Sequence, residues 1–259
     1  MAQPGVAARS AATSMGEDTQ RTLASAGDPR ADGAAGRHPG PDGVDRVGGM
    51  DATPPEPGPA AGGLDERTVD PDPLVQFGRW YEAAAAAVEA PEAMAVATAD
   101  ADGRPSVRMV LLKSWGADGF VFYTNYDGRK SHDLAANPQA ALLFYWEPLG
   151  RQVRVEGAVT RTAAEESDGY YATRDLRSRI GAYASHQSRP IADRAALDAA
   201  VDRWTAEFGD RDVPRPAWWG GWRIAPRALE FWQQGRHRLH DRVRYEPSGD
   251  GWQVQRLQP

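Results

Sequence analysis

Residues 230–242 read EFWQQGRHRLHDR, a segment that combines aromatic rings with an unusual density of positive charge. The apolar, strand-like run from Ala228 to Trp232 leads to Gly235, and a loop with three arginines and two histidines follows. Like charges placed this close together repel one another. The loop is most easily explained if an anion or an electron-rich ring lies among these charges. We therefore expect the rest of the chain to bring further cationic groups to the same ligand.

The composition of the whole chain indicates that this positive charge serves a local purpose. The 259 residues are 41% hydrophobic, which is enough for one or two domains with a substantial core. The net charge is −6 and the pI about 5.4, whereas a general binder of nucleic acids or membrane surfaces would be basic. We therefore predict a small anionic ligand and no nucleic-acid or membrane partner.

Several classes of site and location are disfavoured by features that the sequence lacks. It has no cysteine, which excludes disulfides, thiolate metal sites and a cysteine nucleophile. No apolar run approaches the roughly 18 residues of a membrane helix, and the N-terminus lacks the apolar segment of a signal peptide, so we predict a soluble, cytoplasmic protein. His237 and His240 could suit a metal by their spacing, but the neighbouring arginines would repel a cation, so no metal site is expected.

The first part of the chain, residues 1–65, is predicted to be a disordered tail. It is rich in Ala, Gly, Pro, Asp and Ser, and the first large aromatic residue of the chain is Phe77. A segment without large apolar groups cannot offset the entropy that is lost on ordering. A variable solvated tail is the simplest interpretation, and a regulatory or targeting role is the alternative. Residues 66–259 are predicted to form the folded domain.

The predicted domain shows many short strand patterns with a few helices between them. Asp72 can cap a helix that starts at Pro73, and Thr162 with Glu165 forms a capping-box pattern at the start of another helix. The predicted helices cover residues 73 to about 90, about 129–136, 162 to about 174 and about 192–208. The predicted strands cover residues 93–99, 104–113, 119–125, 139–146, 151–161, 222–224, 228–233, 242–245 and 252–257. Hairpin order without alternating crossover helices predicts a mainly antiparallel β-barrel with peripheral helices.

Four groups of side chains that can bind phosphate stand on separate predicted elements. They are Arg108 with Lys113, Tyr123 and Thr124 with Arg129 and Lys130, Gln187 with Ser188, and Tyr170 with Arg174 and Ser178. Arg, Lys and Thr beside the start of a helix form an anion site. Tyr, Arg and Ser together offer a phosphate monoester one fixed charge and several hydroxyl donors. The residues by themselves indicate a protein that binds one or two phosphorylated aromatic small molecules.

The positions of Arg108 and Lys113 set a condition on this site. They are five residues apart in one predicted strand, and strict alternation would place their side chains on opposite faces. Both reach one ligand only if the strand bends or if Lys113 lies at its end. Taken singly, each of these cations could instead be a solvated surface charge.

Together these motifs resemble the pyridoxamine 5′-phosphate oxidase family, which are FMN enzymes of vitamin B6 metabolism. The motifs are RMVLLK (108–113), VFYTN with GRKSH (121–132), RQVRVEG (151–157), the set of Tyr170, Arg174 and Ser178, SHQS (185–188), WWGGWR (218–223) and EFWQQGRHRLHDR (230–242). The resemblance extends from about Asp70 to Pro259. The C-terminal block is its most specific part, because many other flavin-binding split barrels resemble only the N-terminal half.

The resemblance implies an FMN-binding split β-barrel that forms a homodimer, with FMN in a cleft between subunits and each site built from both chains. The implied FMN contacts are Arg108, Met109, Val110, Leu111, Leu112, Lys113, Tyr123, Thr124, Arg129, Lys130, Gln152, Gln187, Ser188, Trp232 and Arg242. The implied contacts of the substrate phosphate are Lys113, Tyr170, Arg174 and Ser178. Arg238 and His240 are implied to be catalytic groups that lie over the pyridine ring of the substrate.

The activity implied by the resemblance is oxidation of pyridoxamine or pyridoxine 5′-phosphate to pyridoxal 5′-phosphate, with dioxygen as acceptor and hydrogen peroxide released. Two alternatives stay open: another flavin- or deazaflavin-dependent oxidoreductase on the same barrel, and a non-catalytic binder of flavin or pyridoxal phosphate. The family often carries an Arg and a Tyr in an N-terminal segment that can fold over the active site. The matching stretch around Pro54 to Ala61 contains neither, so no residue of it is assigned to the site.

Overall fold

The structure is a computed structural model that describes residues 63–259. The predicted tail lies almost entirely outside the described residues, as does the stretch around Pro54 to Ala61, and both predictions stay untested. At the start of the described part, Leu64 is buried against the core. Its carbonyl oxygen accepts a hydrogen bond of 2.8 Å from Nη2 of Arg256, close to the C-terminus. The two ends of the described chain are therefore joined directly.

The described residues form five helices and nine strands. The helices are α1 (Pro73–Ala85), α2 (Arg129–Ala136), α3 (Ala164–Ala172), α4 (Leu176–Ala184) and α5 (Arg194–Phe208). The strands are β1 (Ala93–Ala99), β2 (Pro105–Leu111), β3 (Ser114–Gly116), β4 (Gly119–Asn125), β5 (Gln139–Trp146), β6 (Arg151–Arg161), β7 (Trp219–Gln233), β8 (Asp241–Ser248) and β9 (Gly251–Leu257). Within this part of the chain, no helix combines the length and the apolar character needed to cross a bilayer.

All nine strands belong to one antiparallel sheet. Its order is β2-β1-β5-β6-β7-β4-β3, and β8 pairs with β7 and with β9. The sheet curls, so that β2 at one end of this order approaches β4 near the other. Lys113, which follows β2, donates its backbone N–H to the carbonyl of Val121 in β4 at 2.8 Å. The prediction of a mainly antiparallel split barrel with peripheral helices is confirmed.

Helix α1 closes the core of the barrel. Asp72 caps it as predicted, because its Oδ1 accepts a hydrogen bond of 2.8 Å from the backbone N–H of Leu74. Phe77 is fully buried, and its ring lies 5.0 Å from that of Phe120 and 5.1 Å from that of Phe144. Burying an aromatic side chain of this size stabilises a fold by about 1.5–3 kcal/mol. The apolar face of α1 therefore packs against both β4 and β5.

The start of α3 differs from the prediction. Its N-cap is Ala163, which forms no side-chain cap, so the capping box of Thr162 and Glu165 is wrong. The Thr162 hydroxyl is buried and lies 2.8 Å from the hydroxyl of Ser167, which also accepts a hydrogen bond from the N–H of Gly221 in β7. Packing of α3 against β7 thus turns this hydroxyl toward the core. The helix also ends at Ala172, two residues earlier than predicted.

Two further differences lie in the C-terminal half. Helix α4 was not predicted, and the two strands predicted at 222–224 and 228–233 are parts of one long strand, β7. The pairing of β6 with β7 shifts at Gly157, where Arg227 is the extra residue of a β-bulge beside Pro226. Proline is tolerated in a strand at such a bulge. Pro226 therefore bends β7 instead of ending it, and the strand continues from the β4 side of the sheet to the β8 side.

Candidate active site

A cleft of about 1100 Å³ lies between the exposed face of β2, the end of β4, the start of α2 and the helices α3 and α4. Most of the side chains predicted to form the site line it. They are Arg108, Met109, Val110, Leu111, Lys113, Tyr123, Thr124, Arg129, Lys130, Tyr170, Arg174, Ser178, Gln187 and Ser188. Residues that are up to 80 positions apart in the sequence thus meet around one cavity, as the hypothesis of a common ligand requires.

Lys130 lies at the deep end of the cleft. It belongs to the first turn of α2 and is buried, and its Nζ donates hydrogen bonds to Oγ1 of Thr124 at 2.8 Å and to Oε1 of Gln187 at 2.6 Å. Both partners are neutral oxygens. Because burial penalises the charged amine, with a smaller contribution from Arg108, the pKa of Lys130 is lowered to about 8. The ammonium group therefore lacks a compensating negative charge.

The start of α2 is open to an anion. Gly128 is its N-cap and contributes no side-chain hydrogen bond, while the backbone N–H of Arg129 points to Oγ of Ser188 at 3.2 Å. Ser188 has a φ of 70°, which is unusual for a residue other than glycine. A side chain at Gly128 would come within 2.4 Å of Oε1 of Gln187, so glycine is needed for the 185–188 loop to approach. The helix dipole at this end favours a negative ligand.

Arg108 and Lys113 reach the same cleft because Lys113 lies beyond the end of β2. The strand ends at Leu111, so the alternation that would separate the two side chains no longer applies. Arg108 is fixed by hydrogen bonds from Nη1 to Oγ1 of Thr98 at 2.7 Å and from Nη2 to Oγ of Ser106 at 2.6 Å. Thr98 in turn donates to the buried carboxylate of Asp133 at 2.6 Å. Neither Thr98 nor Asp133 was predicted, because their role depends on the pairing of β1 with β2 and on the docking of α2.

Three aromatic rings lie nearly parallel along the α3 side of the cleft. The ring centroid of Tyr123 is 4.1 Å from that of Tyr170 and 5.5 Å from that of Trp219, with interplanar angles of 16° and 8°. Burial, with a smaller effect of Glu166, raises the pKa of Tyr123 to about 12, so its hydroxyl stays a donor at neutral pH. Trp219 was not predicted as a site residue, although its motif WWGGWR was noted.

The cleft contains positive charge that the protein itself does not neutralise. Within residues 63–259, four cations that line it form no salt bridge: Lys113, Arg129, Lys130 and Arg174. In addition, Nη1 of Arg174 is buried without a hydrogen-bond partner in this part of the chain. Buried polar atoms are normally paired, so these donors fit a ligand that carries phosphate groups.

The remaining predicted site residues form a second group away from the cleft. Gln152 in β6 lies opposite Trp232 in β7, which lies opposite Arg242 in β8. The ring of His240 is 4.6 Å from that of Trp232, and Arg238 lies in the short turn between β7 and β8 with a φ of 61°. Trp232 lies eleven positions after Gly221, which is beside the cleft. Eleven positions correspond to a path of roughly 36 Å along a strand. The structure of one chain does not bring the two groups together.

Leu112 is the one predicted contact whose side chain turns away from both groups. It is buried in the core, and its backbone N–H already donates to the carbonyl of Glu92 at 2.9 Å. The assignment of its side chain as a ligand contact therefore has no support in the geometry. Leu112 follows the last residue of β2 and packs in the core, whereas its exposed neighbours Leu111 and Lys113 line the cleft.

Sequence comparison identifies the family. The family model described as pyridoxamine 5′-phosphate oxidase matches residues 81–208, and the model of the pyridoxine 5′-phosphate oxidase C-terminal dimerisation region matches residues 219–259. The pyridoxine/pyridoxamine 5′-phosphate oxidase of Rubrobacter xylanophilus is 54% identical over 198 residues, which cover 76% of this chain and 91% of the relative. The chain belongs to the pyridoxamine 5′-phosphate oxidase family. A member from Cupriavidus taiwanensis is also 54% identical, over 200 residues that cover 94% of it.

Solved structures agree with this membership. The crystal structure of PhzG from Burkholderia lata 383, in complex with tetrahydrophenazine-1-carboxylic acid, superposes with a TM-score of 0.71 at 33% identity and covers 76% of this chain and all of that one. A pyridoxamine 5′-phosphate oxidase-related, FMN-binding protein from Nostoc punctiforme has a TM-score of 0.60 at 14% identity, covering 72% of this chain and 98% of that one, and shows the same fold. The resemblance stated from the motifs is therefore confirmed for the family and for its split barrel.

Proposed function

We propose that this member of the family is an FMN-dependent oxidase that converts pyridoxamine or pyridoxine 5′-phosphate to pyridoxal 5′-phosphate. Dioxygen is the acceptor, hydrogen peroxide is released, and the active form is a homodimer. The observation that carries the proposal is the set of cleft cations without carboxylate partners, arranged around neutral hydroxyl and amide groups. The names of the relatives at 54% identity, which cover nearly their whole length, support the same substrates.

The deep end of the cleft fits the FMN phosphate. Lys130 and Arg129 supply positive charge, and Thr124, Gln187 and Ser188 supply polar groups around it. The exposed apolar side chains of β2, Met109 and Leu111, offer a surface for the flat flavin ring. When bound, FMN supplies the acceptor for the two electrons that the substrate loses, and the protein supplies placement and electrostatics.

The other end of the cleft fits the substrate phosphate. Lys113, Tyr170, Arg174 and Ser178 all line it, and Ser178 lies in the first turn of α4, where Asp175 caps the helix. A phosphate held at this end fixes the orientation of the pyridine ring without contacting its reacting carbon. Binding energy from a remote group of this kind is used to position the reacting centre.

The second group of residues completes the site from the other subunit. The model of the family's dimerisation region matches residues 219–259, which contain Trp232, Arg238, His240 and Arg242. His240 has a defined proton position, because its Nδ1 accepts a hydrogen bond of 3.3 Å from the backbone N–H of Gly235. In the neutral ring this leaves the proton on Nε2, which can donate to the substrate. Arg238 would add a fixed positive charge beside the substrate ring, close to the acceptor, which gains negative charge as the substrate loses two electrons.

The test is to purify the protein, record its absorbance spectrum and add pyridoxamine or pyridoxine 5′-phosphate in air. We expect a flavin spectrum, formation of pyridoxal 5′-phosphate and one equivalent of peroxide per product. A protein that binds flavin and pyridoxal phosphate but forms no peroxide would be a binder and not an oxidase. A protein that oxidises other substrates and ignores both phosphorylated vitamers would be a different flavin enzyme on this barrel.

A further inference from the structure

Arg174 is held in the cleft without a salt bridge to any carboxylate of the described residues. Its side chain forms no salt bridge or hydrogen bond within residues 63–259, and its Nη1 is buried without a partner. Its guanidinium carbon instead lies 4.7 Å from the ring centroid of Trp219 and 5.5 Å from that of Tyr171. The face of an aromatic ring carries partial negative charge and attracts a cation at these distances. Ring faces therefore define the position of Arg174.

Trp219 is itself fixed from several sides. It is 6% exposed, its carbonyl oxygen accepts a hydrogen bond of 2.8 Å from Nη1 of Arg215, and Tyr171 packs against it edge-on at 4.9 Å. Its other ring neighbour is Tyr123, which is part of the parallel stack with Tyr170. The ring consequently cannot move without disturbing groups on both β4 and α3, and this makes it a rigid support.

The use of a ring in place of a carboxylate has a chemical consequence. A carboxylate would hold Arg174 through its N–H groups and would cancel its charge. A ring face attracts the cation while leaving the in-plane N–H donors free for a planar or tetrahedral anion. The charge and the donors of Arg174 are thus both available to a phosphate.

We propose that Trp219 is a positioning residue whose ring face holds the guanidinium of Arg174 in place. It would thereby determine how strongly the site prefers phosphorylated over unphosphorylated vitamers. This proposal rests on the proposed function and adds to it a residue that lines the cleft and acts through its contact with Arg174. The two residues stand on different elements, since Trp219 begins β7 and Arg174 follows α3.

The first experiment measures binding and kinetics of the FMN-loaded Trp219→Leu and Trp219→Phe variants. Because a desolvated cation–π contact is worth about one factor of ten in affinity, we expect Trp219→Leu to raise the Kd for pyridoxal 5′-phosphate, measured by calorimetry, by about tenfold. The KM for pyridoxine 5′-phosphate should rise similarly, while kcat and the parameters for unphosphorylated pyridoxine change little. Trp219→Phe keeps a ring face and should recover most of the affinity.

The matched control is Trp218→Leu. Trp218 is adjacent in sequence and packs on Tyr183, and its Nε1 donates to the carbonyl of Ala182 at 3.1 Å, but it does not line the cleft. We expect this variant to lose stability without losing the preference for phosphorylated ligands. A loss of preference as large as that of Trp219→Leu would mean that general loosening of this region is responsible, and the proposal would fail.

A second experiment keeps the shape of the Trp219 side chain and changes only the electron density of its ring. Incorporation of mono-, di- and trifluorinated tryptophan at position 219 withdraws electron density from the ring face, so the Kd for pyridoxal 5′-phosphate should rise step by step with the number of fluorine atoms. A flat series would overturn the proposal even if the leucine variant does not fold. If the unmodified protein binds no pyridoxal 5′-phosphate at all, it is the proposed function that fails.

Discussion

Two kinds of cation occur in the candidate site, and they differ in what neutralises them. Lys130 and Arg174 rely on neutral oxygens or ring faces, whereas Arg242 in the second group donates to the buried carboxylate of Glu230 at 2.8 Å. An unneutralised cation retains its full attraction for an incoming phosphate, and a paired cation is held in place but attracts less. The cleft is therefore built to bind anions, and the β7–β8 region to hold its groups in a fixed geometry.

Lys130 leads to a prediction on pH. Its pKa is lowered to about 8 in the ligand-free chain, so the amine becomes neutral as the pH rises through 8. Because phosphate binding favours the charged form, the affinity for FMN should fall by about tenfold between pH 7 and pH 9. Flavin fluorescence quenching in a titration at each pH measures this. In Lys130→Arg, whose side chain stays charged, this fall in affinity should disappear. An equal fall in both proteins would contradict the assignment of Lys130 as the titrating group.

Arg238 leads to a prediction on turnover. The proposed position of Arg238 over the substrate ring implies that Arg238→Ala removes stabilisation of developing charge without disturbing the FMN phosphate. We expect kcat to fall by about a hundredfold while the FMN content, measured from the absorbance spectrum, stays near one per subunit. Arg236→Ala is the matched control, since it removes a second exposed cation from the same turn, and it should retain activity within about twofold. Unchanged turnover in Arg238→Ala would remove this residue from the mechanism.

At the scale of elements, β7 links the two parts of the site. Its first residues pair with β4 beside the cleft and its last residues pair with β8, while β6 pairs with it from Trp222 to Gln233. The bulge beside Pro226 allows one strand to turn from one side of the barrel to the other. Gly157 makes this possible, because a Cβ there would lie 2.0 Å from the carbonyl oxygen of Ala225. The bulge depends on the absence of a side chain at this position.

Substitution at Gly157 tests that dependence. Gly157→Ala should force the two strands apart and cost about 1–3 kcal/mol, as overpacking in a well-packed region does. For a chain of this size this corresponds to about 2–10 °C in the thermal midpoint of the FMN-loaded protein. The control is Gly251→Ala at the start of β9, where a Cβ would meet no atom within 4 Å. Equal midpoints for the two variants would show that the close approach is not needed.

At the scale of the whole molecule, each chain carries two half-sites that are separated along β7. The cleft holds the side chains proposed to bind the two phosphates, and the β7–β8 region holds the groups proposed to contact the substrate ring. A closed homodimer has one self-complementary interface with two equivalent sites, so each cleft would be completed by the second group of the partner. With this arrangement, activity would depend on formation of the homodimer.

A mixed dimer tests this arrangement. We expect a heterodimer of one Arg174→Ala chain and one Arg238→Ala chain, isolated through two different affinity tags, to show about half of the wild-type kcat/KM, because one of its two sites is intact. Both parent homodimers should be far less active. A heterodimer of a doubly substituted chain with a wild-type chain should be nearly inactive. The opposite pattern, with the second heterodimer half active and the first nearly inactive, would place both groups in one subunit.

The sequence alone determined most of the elements and the types of donor available to a ligand. Local patterns are enough to predict a helix capped by Asp72, strands with alternating burial such as Ala93–Ala99, and donor types suited to phosphate, because these depend on neighbours in the chain. The same reasoning failed at Thr162 and at Pro226, where contacts with a distant strand outweigh the local preference.

Only the tertiary structure decided which of these donors share a cavity and what supports them. Trp219, Thr98 and Asp133 act through contacts with residues 10 to 45 positions away on other elements, for which no local pattern exists. The separation of Arg238 and His240 from the cleft likewise follows from the path of β7 through the sheet. The physical reason is that burial and distance arise from chain packing, whereas charge and hydrogen-bonding capacity are already present in each residue.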